Sequence, residues 1–274
     1  EVETVTFTIL DDGVVELNED FYVNIFNLTQ GGSGGRDVSI ADDDGQVTVT
    51  NDDIATVALS DVTVNEGDST ATLDVTLSAP VDVAVNVDVA TSDGTATTAG
   101  NDYTAGSESK TFAAFDTTTQ TFTVSLGPDD SLVELDEVIN AVISNLQASG
   151  REVALGTTNG EIAIVDNDTA ELSVALAGGA TTVSESDGTV TFEVSLSNPV
   201  AVPVTASFGA QNPTQPGSYD DFAGGVGSLT FAPGNNTTQT FTVDINDDSI
   251  VELDEDLQVV LFALDAGAIQ DADN

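Results

Sequence analysis

Hydrophobic and polar residues alternate with a period of two along most of this chain. Ala71, Leu73, Val75 and Leu77 fall on one side of an extended segment while Thr72, Asp74 and Thr76 fall on the other. This is the mark of a strand buried on one face. Val83, Val85, Val87 and Val89 repeat the pattern, as do Phe122, Val124 and Leu126, then Ile139, Ala141 and Ile143, and later Leu257, Val259 and Leu261. Phe21, Val23 and Ile25 alternate in the same way nearer the start. Further strands are predicted at Val5–Leu10, Gln46–Thr50, Thr56–Ser60, Val62–Val64, Lys110–Phe115, Thr119–Leu126 and Glu161–Val165. Pro80 ends one strand, and Asn159-Gly160 is predicted to turn a hairpin. Gly31–Gly35 and Gly94–Gly106 read as loops. No window keeps a helical period. Short Thr- and Val-rich strands separated by Gly and Pro predict an all-β fold of tandem immunoglobulin-like antiparallel β-sandwiches.

The strands belong to a repeat. Asp129-Asp130-Ser131-Leu132-Val133-Glu134-Leu135-Asp136-Glu137 is preceded by Asp11-Asp12-Gly13-Val14-Val15-Glu16-Leu17-Asn18-Glu19 and followed by Asp247-Asp248-Ser249-Ile250-Val251-Glu252-Leu253-Asp254-Glu255. Glu16, Glu134 and Glu252 stand at a constant step of 118 residues. A period of that length gives each repeat enough residues for its own core. We therefore expect residues 1–53 to be the second half of a repeat, 54–168 a complete one, and 169–274 one without its last strand. Glu1 opens in mid-repeat, so the chain reads as an excerpt of a longer protein.

Charge narrows the function. Asp and Glu number 48 against three Lys and Arg, for a formal net charge of −45. Nucleic acid and anionic membranes would be repelled. No run of residues reaches the roughly 18 apolar positions of a membrane helix. The chain has neither His nor Cys, which removes Ser-His-Asp catalysis and makes a zinc site implausible. Paired carboxylates can hydrolyse glycosides, but the chain has no Trp and three Tyr with which to line a sugar cleft. We read it as a non-enzyme.

Topology gathers the acids. If strands run alternately up and down, the turns after the first, third and fifth strands of a repeat share a pole with the end of the last. Those places hold Glu66, then Asp102, then Asp129, Asp130, Glu134 and Glu137, and finally Asp166 and Asp168. Arg36, Lys110 and Arg151 cannot neutralise three such clusters, so the counter-charge comes from outside. A hard divalent cation bound by oxygen suits it. Asp42-Asp43-Asp44 falls at the opposite pole and is expected to be merely solvated.

These pieces resemble a known family. Val64-Asn65-Glu66-Gly67, Asn101-Asp102-Tyr103, the Asp-Asp-x-x-x-Glu-x-x-Glu loop and Val165-Asp166-Asn167-Asp168 are similar to the motifs of Calx-beta domains. Those are calcium-binding sandwiches known from sodium–calcium exchangers, integrin β4 and large bacterial surface proteins. The resemblance implies Ca2+ as the ion and the eight acids above as ligands. It extends to Glu185, Asp221, Asp247, Asp248, Glu252 and Glu255 in the third repeat, and to Asp11, Asp12, Glu16, Glu19, Asp52 and Asp53 in the first. Two roles follow as expectations. One is a calcium-stiffened structural or adhesive segment of a large extracellular surface protein or filament, with neighbouring repeats of the same or identical chains as partners. The other is a calcium-sensing regulatory module of a membrane protein.

Overall fold

The computed structural model describes residues 2–29, 37–212, 221–249 and 254–265. The predicted loop at Gly31–Gly35 lies outside them. The chain divides into two compact units. One comprises Glu1–Val64, Ser69–Gly127 and Val138–Ala163; the other comprises Asn65–Asp68, Pro128–Glu137 and Ile164–Asn274. Apart from two short 3-10 turns, regular structure among the described residues is all strand.

In the first unit the strands are β1 (Glu19–Asn24), β2 (Asp44–Val49), β3 (Ala55–Leu59), β4 (Val62–Asn65), β5 (Thr70–Leu77), β6 (Val85–Asp93), β7 (Ser107–Phe112), β8 (Gln120–Ser125), β9 (Glu137–Gln147), β10 (Val153–Leu155) and β11 (Asn159–Val165). β1 and β2 pair with each other, β10-β3-β5-β8 make one sheet, and β4-β11-β9-β6-β7 make another. In β5, β8 and β9 the alternation read from the sequence is the burial observed, whereas Ile25 of the first expected face falls past the end of β1 and is 62% exposed. Along β5 the residues Ala71, Leu73, Val75 and Leu77 are buried between exposed neighbours. They meet Phe122 and Val124 of β8 in antiparallel register, Leu73 opposite Phe122. Phe112, Phe122, Leu73, Ile139 and Ile162 are fully enclosed. Each such side chain contributes about 1.5–3 kcal/mol of burial.

The second unit holds β12 (Leu172–Leu176), β13 (Thr189–Leu196), β14 (Val204–Gln211), β15 (Phe222–Gly224), β16 (Val226–Phe231), β17 (Gln239–Ile245) and β18 (Gln258–Asp265). They form the sheets β12-β13-β17-β15 and β16-β14-β18. Phe241 stacks on Phe208 with ring centroids 3.8 Å apart and on Phe192 at 5.3 Å.

Several expectations shift. Val5–Leu10 forms no strand. Its equivalent in the second repeat, β8, pairs with β5, and residues 1–53 contain no counterpart of β5. Phe7 is accordingly 53% exposed where the matching Phe122 is fully buried. The strand expected at Lys110–Phe115 is β7, ending at Phe112, because the chain turns over Ala113–Asp116 with Phe115 at φ 65°. The alternation beginning at Val83 becomes strand only from Val85. Asn159-Gly160 opens β11 rather than turning a hairpin. β10 crosses to the other sheet and pairs with β3 in parallel. A Cβ on Gly160 would stand 2.6 Å from the Ser60 carbonyl oxygen, so the glycine serves close packing there.

Each of the first two acidic loops is fastened by its valine. In the first unit the Val15 N–H donates to the Pro80 carbonyl at 2.9 Å, and the Asp82 N–H donates to the Val15 carbonyl at 3.1 Å. In the second unit the Val133 N–H donates to the Pro199 carbonyl at 3.0 Å, and the Ala201 N–H donates to the Val133 carbonyl at 2.9 Å. Val15 is fully buried and Val133 is 7% exposed, the latter within the hydrophobic core of the second unit. A valine in an acidic loop thus joins the core beside the Pro-containing turn of the following repeat.

Candidate metal centre

Glu66, Asp166 and Asp168 lie together in the second unit. One carboxylate oxygen from each falls within 4.8 Å of the others, and all three residues are half-buried. Local structure brings them there. Glu66 occupies the turn after β4, its N–H bonded to the Val165 carbonyl at 3.0 Å. Asp166 and Asp168 follow directly on the end of β11, at which the ladder stops.

The loop of residues 128–137 closes round this trio. The Asp166 N–H donates to Asp136 Oδ1 at 3.2 Å, and Asn167 Nδ2 reaches Asp129 Oδ1 at 3.5 Å. The backbone N–H groups of Glu134 and Asp168 donate to the Asp166 carboxylate. Leu132 N–H is held by Asp130 Oδ1 at 2.6 Å, an Asx turn that fixes the loop. Asp136 was not among the residues expected here. The recurrence of Asp136 and Asp254 between two glutamates was the available signal.

The electrostatics are those of crowded negative charge. Burial, then Asp130, Asp166, Glu134 and Asp168, push the Glu66 carboxyl up to about 7. Burial also raises Asp166 and Asp168; the charge of Asp168 adds to the first, and those of Asp129 and Asp130 to the second. Asp166 Oδ1 and Asp168 Oδ2 are buried yet have no hydrogen-bond donor. Buried carboxylate oxygens without donors are costly. Hard oxygens that face one another fit a divalent cation, which would take up these orphaned acceptors.

The other expected ligands are distributed unevenly. Asp102, in the first unit, accepts the Thr97 N–H at 2.7 Å and so is engaged by its own loop. Glu137 opens β9. In the first repeat, loss of solvent and then Asp52, Asp11 and Asp12 raise Asp53, so those four acids are neighbours. Glu16 is raised by burial, then by Asp12, Glu19 and Asp82, while Arg151 opposes them. Here the Asn51 N–H donates to Asn18 Oδ1 at 2.9 Å and the Glu16 N–H to Asn51 Oδ1 at 3.1 Å. Those bonds are the ones Asp166 makes with Asp136 and Glu134. Asn51, rather than Asp52, therefore stands at the place of Asp166, and Asn18 at that of Asp136.

In the third repeat Glu255 hydrogen-bonds to Asp221, which raises its pKa, and accepts Asn212 Nδ2 at 2.7 Å. Glu185 lies in the 3-10 turn Glu185–Asp187, and Asp247 and Asp248 are exposed. Glu252 is outside the described residues. Asp42, Asp43 and Asp44 do form an exposed carboxylate group. They stand at the start of β2, whereas Asn51–Asp53 follow its end.

Glu66 from one turn and Asp166 and Asp168 from the end of another strand thus pool their carboxylates on a β-sandwich scaffold, the oxygen donor set that suits a hard divalent cation. Comparison with known families agrees: the Calx-beta domain profile matches residues 1–53, 50–168 and 167–272. The chain belongs to the Calx-beta family, whose domains are calcium-binding modules in tandem here. Among solved structures it is similar to CBD12 from CALX1.2, at 21% identity over 79% of this chain and 83% of that one, TM-score 0.37. It is also similar to the apo form of the Calx CBD1 domain, at 22% identity over 42% of this chain and all of that one, TM-score 0.37. No curated protein sequence matches it.

Proposed function

We propose that this chain is a calcium-binding repeat segment that stiffens when it takes up the ion and serves as a structural or adhesive spacer of an extracellular protein. The observation that carries this reading is the trio Glu66, Asp166 and Asp168, with buried carboxylate oxygens that lack donors. Its ions are hard, its ligands are oxygen, and the loop that supplies most of them is fastened into the core of the second unit through Val133. An ion that draws Asp129, Asp130, Glu134, Asp166 and Asp168 together therefore restrains the same loop. A net charge of −45 further favours an environment rich in free divalent cations.

Small-angle scattering on the 274-residue chain tests the role. The maximum dimension and the flexibility signature are expected to change between chelator and millimolar calcium, towards a stiffer, extended particle. Identical profiles in the two conditions would refute stiffening. Calcium binding without stiffening would favour a regulatory module instead.

A further inference from the structure

The two valine clips differ in what neutralises the charge beside them. At the second, the surrounding site is built from carboxylates: Glu66, Asp129, Asp130, Glu134, Asp136, Asp166 and Asp168. At the first, Asn18 and Asn51 replace the two carboxylates that form the framework of that site, and the same two backbone hydrogen bonds are kept. The first site also faces a guanidinium. A cleft of about 370 Å³ is lined by Glu16, Leu17, Asn18 and Asn51 of the first repeat and by Gly150 and Glu152 of the second. Arg151 lies between the last two and grips Asp82 with two bonds, Nε to Oδ1 and Nη2 to Oδ2, both 2.7 Å.

Asp82 is itself half of the clip, since its N–H holds the Val15 carbonyl. Glu152 adds a further negative charge to the cleft wall. Among the described residues, Arg151 is the cation whose charge reaches Glu16. A bidentate Arg–carboxylate fork is geometrically rigid and keeps its charge at any physiological pH. Nothing equivalent is encoded at the second clip: Ala201 takes the place of Asp82, and Ile269 stands 118 residues after Arg151.

We propose that Arg151 is a built-in cation that keeps the Val15 clip closed without a metal ion, whereas the Val133 clip, closed by the same pair of backbone bonds but with no such fork beside it, is stabilised further when the carboxylate site next to it is loaded. The second half rests on the calcium reading above; the first half does not. The chain thus carries one fastening that is independent of an ion and one that an ion strengthens.

Amide hydrogen exchange by NMR on the full chain, in millimolar calcium and in chelator, separates the two. The amides of Val15 and Asp82 report the first clip, those of Val133 and Ala201 the second, and those of Phe122 and Val243 the two cores. In wild type, protection at Val15 and Asp82 is expected to be the same in both conditions within about threefold. Protection at Val133 and Ala201 should fall about 100-fold in chelator, the scale of a local opening. Arg151→Gln should lower protection at Val15 and Asp82 about tenfold or more in chelator, while Arg151→Lys retains part of it. In an Arg151→Gln chain, adding Asn18→Asp and Asn51→Asp should make that loss reversible by calcium.

The Arg151 assignment is overturned if Arg151→Gln leaves Val15 and Asp82 protected in chelator with both cores intact. It is equally overturned if wild-type Val15 and Asp82 open together with Val133 and Ala201. If calcium does not bind and Val133 is indifferent to chelator, the ion-strengthened half falls with the calcium reading. The effect of Arg151→Gln still decides the other half.

Discussion

Glu66→Gln should move stability in opposite directions depending on whether calcium is present. In the metal-free chain, Glu66 sits with two aspartate oxygens within 4.8 Å. Each such pair of charges repels by about 0.9 kcal/mol at the dielectric of water and about 3.5 kcal/mol at an effective value of 20. A carboxyl raised from 4.5 to about 7 carries at most roughly 3 kcal/mol of penalty when ionised. The side chain retains solvent contact, so screening reduces this to about 1–2 kcal/mol. Glutamine keeps the shape, removes the charge, and offers an N–H to Asp166 or Asp168, whose buried oxygens lack donors.

Melting at pH 8 in chelator should therefore rise for the variant, by about 2–8 °C per kcal/mol gained. In millimolar calcium it should fall below wild type, because a charged ligand is gone and mass-action stabilisation weakens with it. A variant that melts lower than wild type in both conditions would show that Glu66 is a structural residue rather than one of a set of mutually repelling ligands.

Stability of the metal-free chain should fall as pH rises. The folded pKa of Glu66 is raised to about 7 from 4.5, and those of Asp166 and Asp168 are raised as well. The native state thus binds more protons than the unfolded one between about pH 4 and 7. Chelator melts at pH 5 should exceed those at pH 8 for this site, and calcium uptake at pH 6 should release protons to an indicator dye. Val15→Ala removes two methyl groups from a fully enclosed position and should cost about 2 kcal/mol, read as a lower urea midpoint. Raising salt from 0.05 to about 1 M shortens the Debye length to about 3 Å. It should raise the melting temperature in chelator more than in calcium.

Much of this was legible in the residues because a sheet has a strict period of two. The faces of β5, β8 and β9 followed from Val, Leu, Ile and Phe alternating with Thr, Asp and Asn. Glu66, Asp166 and Asp168 could be brought together because turns at alternate strand ends share a pole. Pairing beyond the local pattern was not legible. β10 crosses to β3 in parallel, and nothing in Val153–Leu155 distinguishes that from a hairpin. Asn159-Gly160 has turn chemistry, but the close approach of Ser60 uses the glycine for packing. Val5–Leu10 has the strand pattern without the neighbour that would complete its ladder. The clip leaves no mark in the sequence because Val15 and Val133 sit among acids in a loop, where a single valine carries no periodicity. The equivalence of Asn51 with Asp166 appeared only from shared hydrogen bonds, since Asp52 offered the more obvious carboxylate.

The central claim, that oxygen-rich clusters in this chain hold calcium, is tested most directly by titration calorimetry of the full chain with calcium at pH 7.5, alongside Asp166→Asn/Asp168→Asn. The account predicts saturable binding of more than one ion per chain, preferred over magnesium, with a lower stoichiometry in the double variant and unchanged binding in Asp42→Asn/Asp43→Asn. Absence of binding, or equal loss from both double variants, would contradict it.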